Sequence, residues 1–331
     1  MLTAFNRASA AVEASIHPSA ASMTPALPSA EVEAAAAYAR AEKAPATRRA
    51  YNSDFDLFCA WCSERSAVPL PAAPETIAAF LAFEAARCIK PATIGRRLAA
   101  LGYAHRLAGS PPPTDDERVL ATLRGIRRSN GTAPLRKAPA TADKIIAMAP
   151  IGRERLSDIR DRAVLLVGFA GALRRCELVG LNVDDIEEKA EGLRINIRHS
   201  KTDQEGRGEV IAIPRGSIAC PVVALMTWIA SASITAGAVF RPVTKNGRIL
   251  STRLTDRSVA KIIKTHAARV GLEPGQFSGH SLRAGFLTSA AARGASIFKM
   301  ADQSRHKSMH VLRSYVRDAE VFRNHAGDGL L

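Results

Sequence analysis

Two pairs of polar residues recur at a helical spacing inside otherwise apolar stretches of the chain. Arg174 and Glu177 are three residues apart in GFAGALRRCELVGL, and His280 and Arg283 have the same spacing in GHSLRAGF. Residues three apart share a face of a helix, so each pair can act at one site. A guanidinium group can bind and neutralise phosphate oxygens, and an imidazole can exchange a proton near neutral pH. The pairs are therefore candidates for one site that could act on a phosphate ester.

A second histidine, a lysine and a tyrosine complete this set of reactive groups. His306 precedes Tyr315 by nine residues, and Lys201 lies in SKTDQEGR, between two stretches that alternate apolar and polar residues. A phenol has a pKa of about 10, so Tyr315 becomes a nucleophile only when its proton is removed or its anion is stabilised. Lys201, on a flexible turn, is placed to protonate a leaving oxygen. The whole set fits transesterification of a phosphodiester without a metal ion.

Each of these residues alone also has an ordinary structural explanation. An Arg–Glu pair three apart is more often a structural ion pair, and a lone histidine is more often a helix cap or a core residue. Lys201 would ordinarily be a solvated turn residue, and Tyr315 a half-buried helix residue. Their order and spacing taken together favour a common site.

Motifs of several other site classes are absent from the sequence or incomplete. It contains no G-x-x-x-x-G-K-[ST] phosphate loop, no G-x-G-x-x-G fingerprint and no H-E-x-x-H zinc motif. GHSLR differs from the G-x-S-x-G nucleophile elbow at its last position, where Arg283 is too large for the strained turn, so a serine hydrolase is a poor second interpretation. Cys59 and Cys62 form one C-x-x-C without a second pair, which predicts no metal site. The five cysteines suit a reducing cytoplasm.

The charge of the chain points to an acidic partner. Its 331 residues include 46 Lys and Arg against 31 Asp and Glu, a formal net charge of +15. Arginine outnumbers lysine 35 to 11. Its planar guanidinium matches the geometry of a phosphate group, so the excess suits nucleic acid. Codon usage in a GC-rich genome is the alternative explanation of this excess. No apolar stretch approaches the roughly 18 residues of a membrane span. The composition therefore predicts a soluble globular protein that favours nucleic acid.

The hydrophobic pattern predicts two domains. Residues 1–30 are rich in Ala, Ser and Pro, which is typical of a flexible tail. Residues 31–129 have helical periodicity throughout, with helices that open beside prolines and a capping box from Thr114 to Glu117. Residues 130–141 combine turn residues with basic side chains and form a predicted linker.

Residues 142–331 predict a mixed domain that carries the reactive groups. LRINIRH and GEVIAIP alternate apolar and polar residues, which predicts a β-hairpin. Helices are predicted near 142–149, 157–170, 174–181, 219–232, 254–270, 281–292, 295–302, 308–317 and 318–326. The predicted fold class is therefore two-domain and mainly α, with a helical N-terminal domain and an α+β domain that contains a small antiparallel sheet.

The ordered set R-x-x-E-L, S-K in a hairpin, H-x-x-R, a histidine and a tyrosine nine residues later resembles the tyrosine recombinases, the phage integrase family. TRRAYNSDFDLFCAWC resembles the core-binding domain of that family, and SYVRDAEVFRNHAGDGLL is similar to its helices after the tyrosine. The resemblance covers about residues 31–331. Arg305 departs from the family, which usually has glycine before the late histidine; it leaves the imidazole in place and is a candidate phosphate contact.

This resemblance implies a site-specific DNA recombinase with a SAM-like core-binding domain and a catalytic domain at 142–331. It implies a 3′-phosphotyrosyl intermediate and a Holliday junction, with the energy of the broken bond conserved, so that no ATP, metal or other cofactor is needed. Glu177 becomes a supporting acid, and Arg174 is preferred over its neighbour Arg175 because it gives the family spacing to Glu177. The implied catalytic residues are Arg174, Lys201, His280, Arg283, His306 and Tyr315.

The resemblance also implies partners. One is double-stranded DNA. The others are further copies of the chain, which assemble from monomers into a homotetramer on paired sites, and a partner recombinase or accessory protein. The resemblance also implies a location at the nucleoid in the cytoplasm, without a membrane. Six basic residues are candidates for DNA contacts. For the four arginines before residue 100, the alternative explanation is a solvated helix face. The six residues are Arg48, Arg49, Arg96, Arg97, Arg136 and Lys137.

Two other functions share parts of this interpretation. A type IB topoisomerase-like nicking and closing enzyme would use the same residue roles, but the domain order and the segment after Tyr315 favour a recombinase. A non-catalytic DNA-binding protein would explain the charge, but the intact set of reactive residues argues against it.

Overall fold

The computed structural model describes residues 29–133, 137–150, 152, 155–198 and 208–319. The chain divides into two compact units, residues 1–134 and 135–331. Several sequence predictions lie outside the described residues: the tail up to residue 28, Arg136, Lys201 with the rest of its turn, and the predicted last helix beyond Ala319.

The described part of the first unit is built from helices, several of which begin at a proline. Proline suits the first helical position because its fixed φ matches the helix and its missing N–H has no partner there. The helices are α1 (Ser29–Ala41), α2 (Pro45–Ser63), α3 (Pro74–Ala86), α4 (Pro91–Leu107) and α5 (Glu117–Asn130). Aromatic side chains of α2 and α3 form the centre of its core, where Phe58, Trp61 and Phe80 are buried against one another.

The predicted capping box at the start of α5 is wrong. Thr114 lies in a short 3₁₀ turn, Pro113–Asp115, and α5 begins at Glu117. Asp116 caps the helix instead, because its carboxylate accepts a hydrogen bond from the backbone N–H of Arg118 at 2.9 Å. Asp115 and Asp116 follow Thr114, and Asp116, directly before α5, is the capping residue.

The second unit wraps further helices around a long buried helix. Helix α7 has a run of buried residues, Ala163–Gly168, and packs against α9 and α11. The helices are α6 (Ala142–Met148), α7 (Leu156–Ala170), α8 (Arg175–Gly180), α9 (Pro221–Ser231), α10 (Asp256–Arg269), α11 (Ser281–Ala292), α12 (Ile297–Ser304) and α13 (Met309–Ala319). No helix in the described part of the chain combines the length and the apolarity that crossing a membrane requires.

A three-stranded antiparallel sheet lies between α8 and α9 in sequence. Its strands are β1 (Ile186–Glu188), β2 (Gly192–Ile197) and β3 (Glu209–Pro214), in the order β1–β2–β3. The apolar Leu193, Ile195 and Ile197 of β2 are buried, whereas Arg194 and Asn196 between them are exposed, as period-two patterning requires. The predicted hairpin is therefore confirmed as β2–β3, and β1 was not predicted. The mainly helical fold class with a small antiparallel sheet is confirmed as well.

Candidate active site

Arg174 is held at the start of α8 by its own neighbour along the helix. The carboxylate of Glu177 accepts hydrogen bonds from the backbone N–H of Arg174 at 2.8 Å and from its Nη1 at 2.5 Å. Glu177 is fully buried at its side chain, whereas the side chain of Arg174 is 18% exposed. The pair thus anchors one edge of the guanidinium inside the protein and leaves the group partly open to solvent.

Arg175 faces a different environment, although it adjoins Arg174 in sequence. Its side chain passes over Gly279, where an added Cβ would meet the Cδ of Arg175 at 1.8 Å, and its Nη2 lies 3.7 Å from Asp256. Because Glu177 contacts Arg174 and the Arg175 side chain runs towards Asp256, the geometry distinguishes the two arginines.

Arg283 lies within α11 and is almost completely buried. Its Nη1 donates to the carbonyl of Ala172 at 2.8 Å, and its Nη2 lies 3.2 Å from Nδ1 of His306. Burial lowers the pKa of Arg283, and the positive charges of Arg174 and Arg305 lower it further. Several guanidinium groups therefore share one small volume, which is the electrostatic setting that an anion would stabilise.

His306 follows Arg305, the residue that caps the end of α12, and is neutral at physiological pH. Burial lowers its pKa to about 4, together with the charges of Arg283 and Arg174. Nη2 of Arg283 lies 3.2 Å from Nδ1 and 3.5 Å from Nε2 of His306, and Oγ of Ser304, whose hydroxyl donates to the carbonyl of Met300, lies 2.7 Å from Nδ1.

His280 stands directly before α11 and is exposed. Although the residue as a whole is exposed, the surrounding protein partly desolvates its imidazole and lowers its pKa, and the charges of Arg283, Arg174 and Arg175 lower it further. These charges act on His280 because it faces the same cationic region as His306. At neutral pH its imidazole is uncharged and can accept a proton.

Tyr315 lies in the middle of α13 and is half-buried. It packs on a satellite cluster of apolar residues that is separate from the main core, formed by Leu287, Ala291, Met300 and Leu312. In its ionised form Tyr315 raises the pKa of Arg283, so the phenol lies within electrostatic range of that guanidinium. The structure therefore brings Arg174, Arg283 and His306 together and places the helix of Tyr315 beside them.

Arg305 is a member of this site that the sequence analysis took for a candidate phosphate contact. Its side chain is only 2% exposed, and its Nη2 donates to Glu177 at 2.7 Å. The guanidinium is thus directed to an internal carboxylate. Sequence offered one signal, the presence of a large cation where the resemblance expects glycine, but it could not give the direction of the side chain.

The six candidates for DNA contacts lie in different environments. Arg49 is exposed and Arg48 is half-buried on α2. Lys137 is exposed and donates to the carbonyl of Gly275 at 2.7 Å. Arg136 and the catalytic candidate Lys201 lie outside the described residues.

Arg96 and Arg97 take part in an ion-pair network inside the first unit. Arg96 binds both oxygens of the buried Asp54, each at 2.9 Å. Arg97 pairs with the fully buried Glu84 and is 12% exposed at its side chain, against 50% for Arg96. Arg97 thus neutralises a buried acid, and Arg96 keeps half of its surface available.

Comparison with known proteins shows which proteins this chain resembles in sequence. The profile of the phage integrase family matches residues 139–321. An integrase/recombinase described as a XerD homologue from Selenomonas ruminantium is 38% identical over 290 residues, which cover 86% of this chain and 85% of that protein. Recombinase Cre of Escherichia phage P1 is 28% identical over 284 residues, with 80% and 81% covered.

Solved structures with the same fold include two DNA complexes. A lambda integrase dimer bound to a COC′ core site matches with a TM-score of 0.58 at 17% identity, covering 87% of this chain and 76% of that one. XerH recombinase bound to a palindromic difH substrate matches with a TM-score of 0.54 at 14% identity, covering 75% and 70%. At these identities the likeness concerns the fold.

Proposed function

The chain belongs to the phage integrase family and is a tyrosine recombinase, and we propose that it cuts and rejoins DNA at specific sites with Tyr315 as the nucleophile. The observation that carries this proposal is the convergence of two guanidiniums, Arg174 and Arg283, with the neutral imidazole of His306, beside the helix of Tyr315. Such a group of preorganised donors suits a phosphate on which negative charge develops.

The proposed reaction is a reversible exchange of phosphodiester bonds. The phenolic oxygen of Tyr315 attacks the scissile phosphorus, a bond forms between them, and the bond to the 5′-oxygen breaks. The products are a 3′-phosphotyrosyl link and a free 5′-hydroxyl. The 5′-hydroxyl of a partner strand then attacks the link and releases the phenol, so every bond broken is replaced by one formed and no cofactor is consumed.

Each residue has a role in this reaction that follows from its charge. Arg174 and Arg283 bind the non-bridging oxygens and offset the charge of the pentavalent phosphorus. His280 accepts the proton of Tyr315, and His306 hydrogen-bonds the phosphate. Lys201 protonates the departing 5′-oxygen, a role that rests on its position in the sequence.

The partner of this reaction is duplex DNA at the nucleoid. The net charge of +15 and the exposed side chains of Arg49 and Lys137 support contacts to the phosphate backbone. Strand exchange between two sites needs one nucleophile for each of four strands, so a homotetramer forms on DNA from chains that are monomers in solution. An accessory protein or partner recombinase can join that assembly.

Covalent trapping on DNA tests the proposal. Nicked duplexes tiled across the native flanks of the gene are incubated with the unmodified chain or Tyr315→Phe, without metal, and resolved on denaturing gels. We expect a protein–DNA adduct with the unmodified chain alone, on duplexes from one region. An adduct with Tyr315→Phe would exclude Tyr315 as the nucleophile, and binding without any adduct would favour a non-catalytic DNA-binding protein. Adducts on every duplex would favour a topoisomerase-like enzyme.

A further inference from the structure

Arg305 has an unusual backbone conformation for a residue with a side chain. It ends α12 in the left-handed region, with φ 54° and ψ 47°. Glycine is the usual residue in this conformation because a Cβ crowds the backbone there. A large side chain at this position indicates that its contacts offset the strain.

The contacts of Arg305 are internal. Its Nη2 donates to Glu177 at 2.7 Å and its Nη1 donates to the carbonyl of Gln303 at 2.8 Å, while the carbonyls of Gly171 and Ala172 lie 3.4 Å from the guanidinium. With 2% of the side chain exposed, a buried cation of this kind depends on its carboxylate partner, because an unpaired charge is costly to bury. Arg305 is therefore tied to Glu177 and does not face a bound phosphate.

Glu177 is shared between Arg305 and Arg174. Its Oε2 accepts from Arg305 and from the backbone N–H of Arg174, and its Oε1 accepts from Nη1 of Arg174. Nη2 of Arg174 also lies 3.5 Å from the carbonyl of Arg305, so the left-handed residue touches Arg174 directly as well. Glu209 also lies 3.8 Å from Nε of Arg305, so the three guanidiniums of Arg174, Arg283 and Arg305 face two carboxylates and a net positive charge remains.

We infer that Arg305 is a positioning residue for phosphate binding: by sharing Glu177 it orients Arg174 and keeps the charge of Arg174 available for the scissile phosphate. This inference rests on the proposed function. The same residue sets the direction of His306, because it immediately precedes that histidine at the end of α12. Arg305 thus links both phosphate-binding groups without touching the substrate.

The test compares single-turnover cleavage of two substrates that differ in charge. One is the nicked duplex that yields an adduct with the unmodified chain, and the other carries a methylphosphonate at the scissile position. Replacing one non-bridging oxygen by methyl removes the negative charge that Arg174 must neutralise. Arg305→Gly removes the guanidinium and also relieves the backbone strain, so a defect in this variant reports the side chain. Arg305→Lys restores the charge without the planar fork.

We expect Arg305→Gly to cleave the phosphate substrate about 10- to 100-fold more slowly, with a much smaller loss on the methylphosphonate, and Arg305→Lys to recover part of the rate. Arg174→Ala should shift the ratio of the two rates in the same direction. Lys307→Ala, which removes an exposed charge two residues away, should leave the ratio unchanged. Thermal melting of each variant confirms that it is folded.

Two results would overturn the inference while the unmodified chain still cleaves. One is an undiminished rate for Arg305→Gly on the phosphate substrate. The other is an equal slowing on both substrates, which would indicate a purely structural role. Failure of the unmodified chain to form any adduct would instead count against the proposed function, so the two failures are distinguishable.

Discussion

Single residues of the site differ sharply in role even where they adjoin in sequence, as Arg174 and Arg175 do. Arg174→Ala should reduce the rate of DNA cleavage about 100- to 1,000-fold, because it removes a donor to the developing charge on phosphorus. Arg175→Ala should stay within about tenfold, since the Arg175 side chain lies over Gly279 and faces Asp256 at 3.7 Å. Single-turnover cleavage of the nicked duplex measures both. Equal losses in the two variants would contradict this assignment.

If His280 accepts the proton of Tyr315, as proposed, its pKa determines how cleavage depends on pH. Burial and nearby arginines lower this pKa from the ordinary histidine value of about 6.5. A proton acceptor works only when neutral, so the rate should be flat above about pH 6.5 and fall only as pH drops through the lowered value. Rate–pH profiles between about pH 5 and 8 measure this.

His280→Gln provides the control for the pH profile, because an amide does not take up a proton in this range. This variant should be slow and should lack the inflection that the unmodified chain shows. An inflection above about pH 6.5, or one that persists unchanged in His280→Gln, would mean that another group limits the rate.

The sequence named the candidate reactive residues but not which carboxylates neutralise the arginines. Arg174, Arg283 and His306 could be recognised because their order and spacing are preserved along the chain. The contacts of Arg305 with Glu177, and of Arg97 with Glu84, join residues more than ten positions apart. Such pairs depend on tertiary packing, which local spacing does not encode, so the sequence left these cations as candidates for phosphate contacts.

At the level of elements, α13 depends on a small cluster of its own. Leu312 is completely buried between α11 and α12, whereas Val311, one residue earlier, is 43% exposed. Leu312→Ala should weaken the docking of α13 by about 2–5 kcal/mol and slow cleavage, because it removes the contact that positions Tyr315. Val311→Ala should change stability by less than about 0.5 kcal/mol.

Amide hydrogen exchange of α13, compared with that of α7, measures this effect. Faster exchange confined to α13 in Leu312→Ala would agree with a locally docked helix. Equal acceleration in α7 would show that the satellite cluster unfolds together with the main core of the second unit.

Elements with a strong local sequence signal were predicted correctly, whereas a short element without such a signal was missed. Helix α11 was predicted at 281–292 and observed over the same residues, because a mostly apolar segment, LRAGFLTSAAA, follows GHS. Strand β1 was missed because its three residues, Ile186–Glu188, are too short to show a period of two. Its pairing with β2 depends on the neighbouring strand.

At the scale of the whole molecule, charge governs the affinity for DNA. A net charge of +15 predicts binding that neutralises several phosphates and releases their counterions. If the chain contacts six to ten phosphates, affinity for duplex DNA should fall about 10³- to 10⁵-fold between roughly 50 and 200 mM salt. Fluorescence anisotropy with labelled duplex gives the slope. Affinity that is independent of salt would contradict an interface based on phosphate contacts.

The most direct test of the account is to identify the residue that becomes linked to DNA. The chain has four tyrosines, and the other three, Tyr38, Tyr51 and Tyr103, lie in the first unit. The trapped adduct is digested with trypsin and nuclease and analysed by mass spectrometry. The account predicts a nucleotide joined through phosphate to the peptide of residues 314–317, with a free 5′-hydroxyl on the released strand. Attachment to any other residue would contradict it.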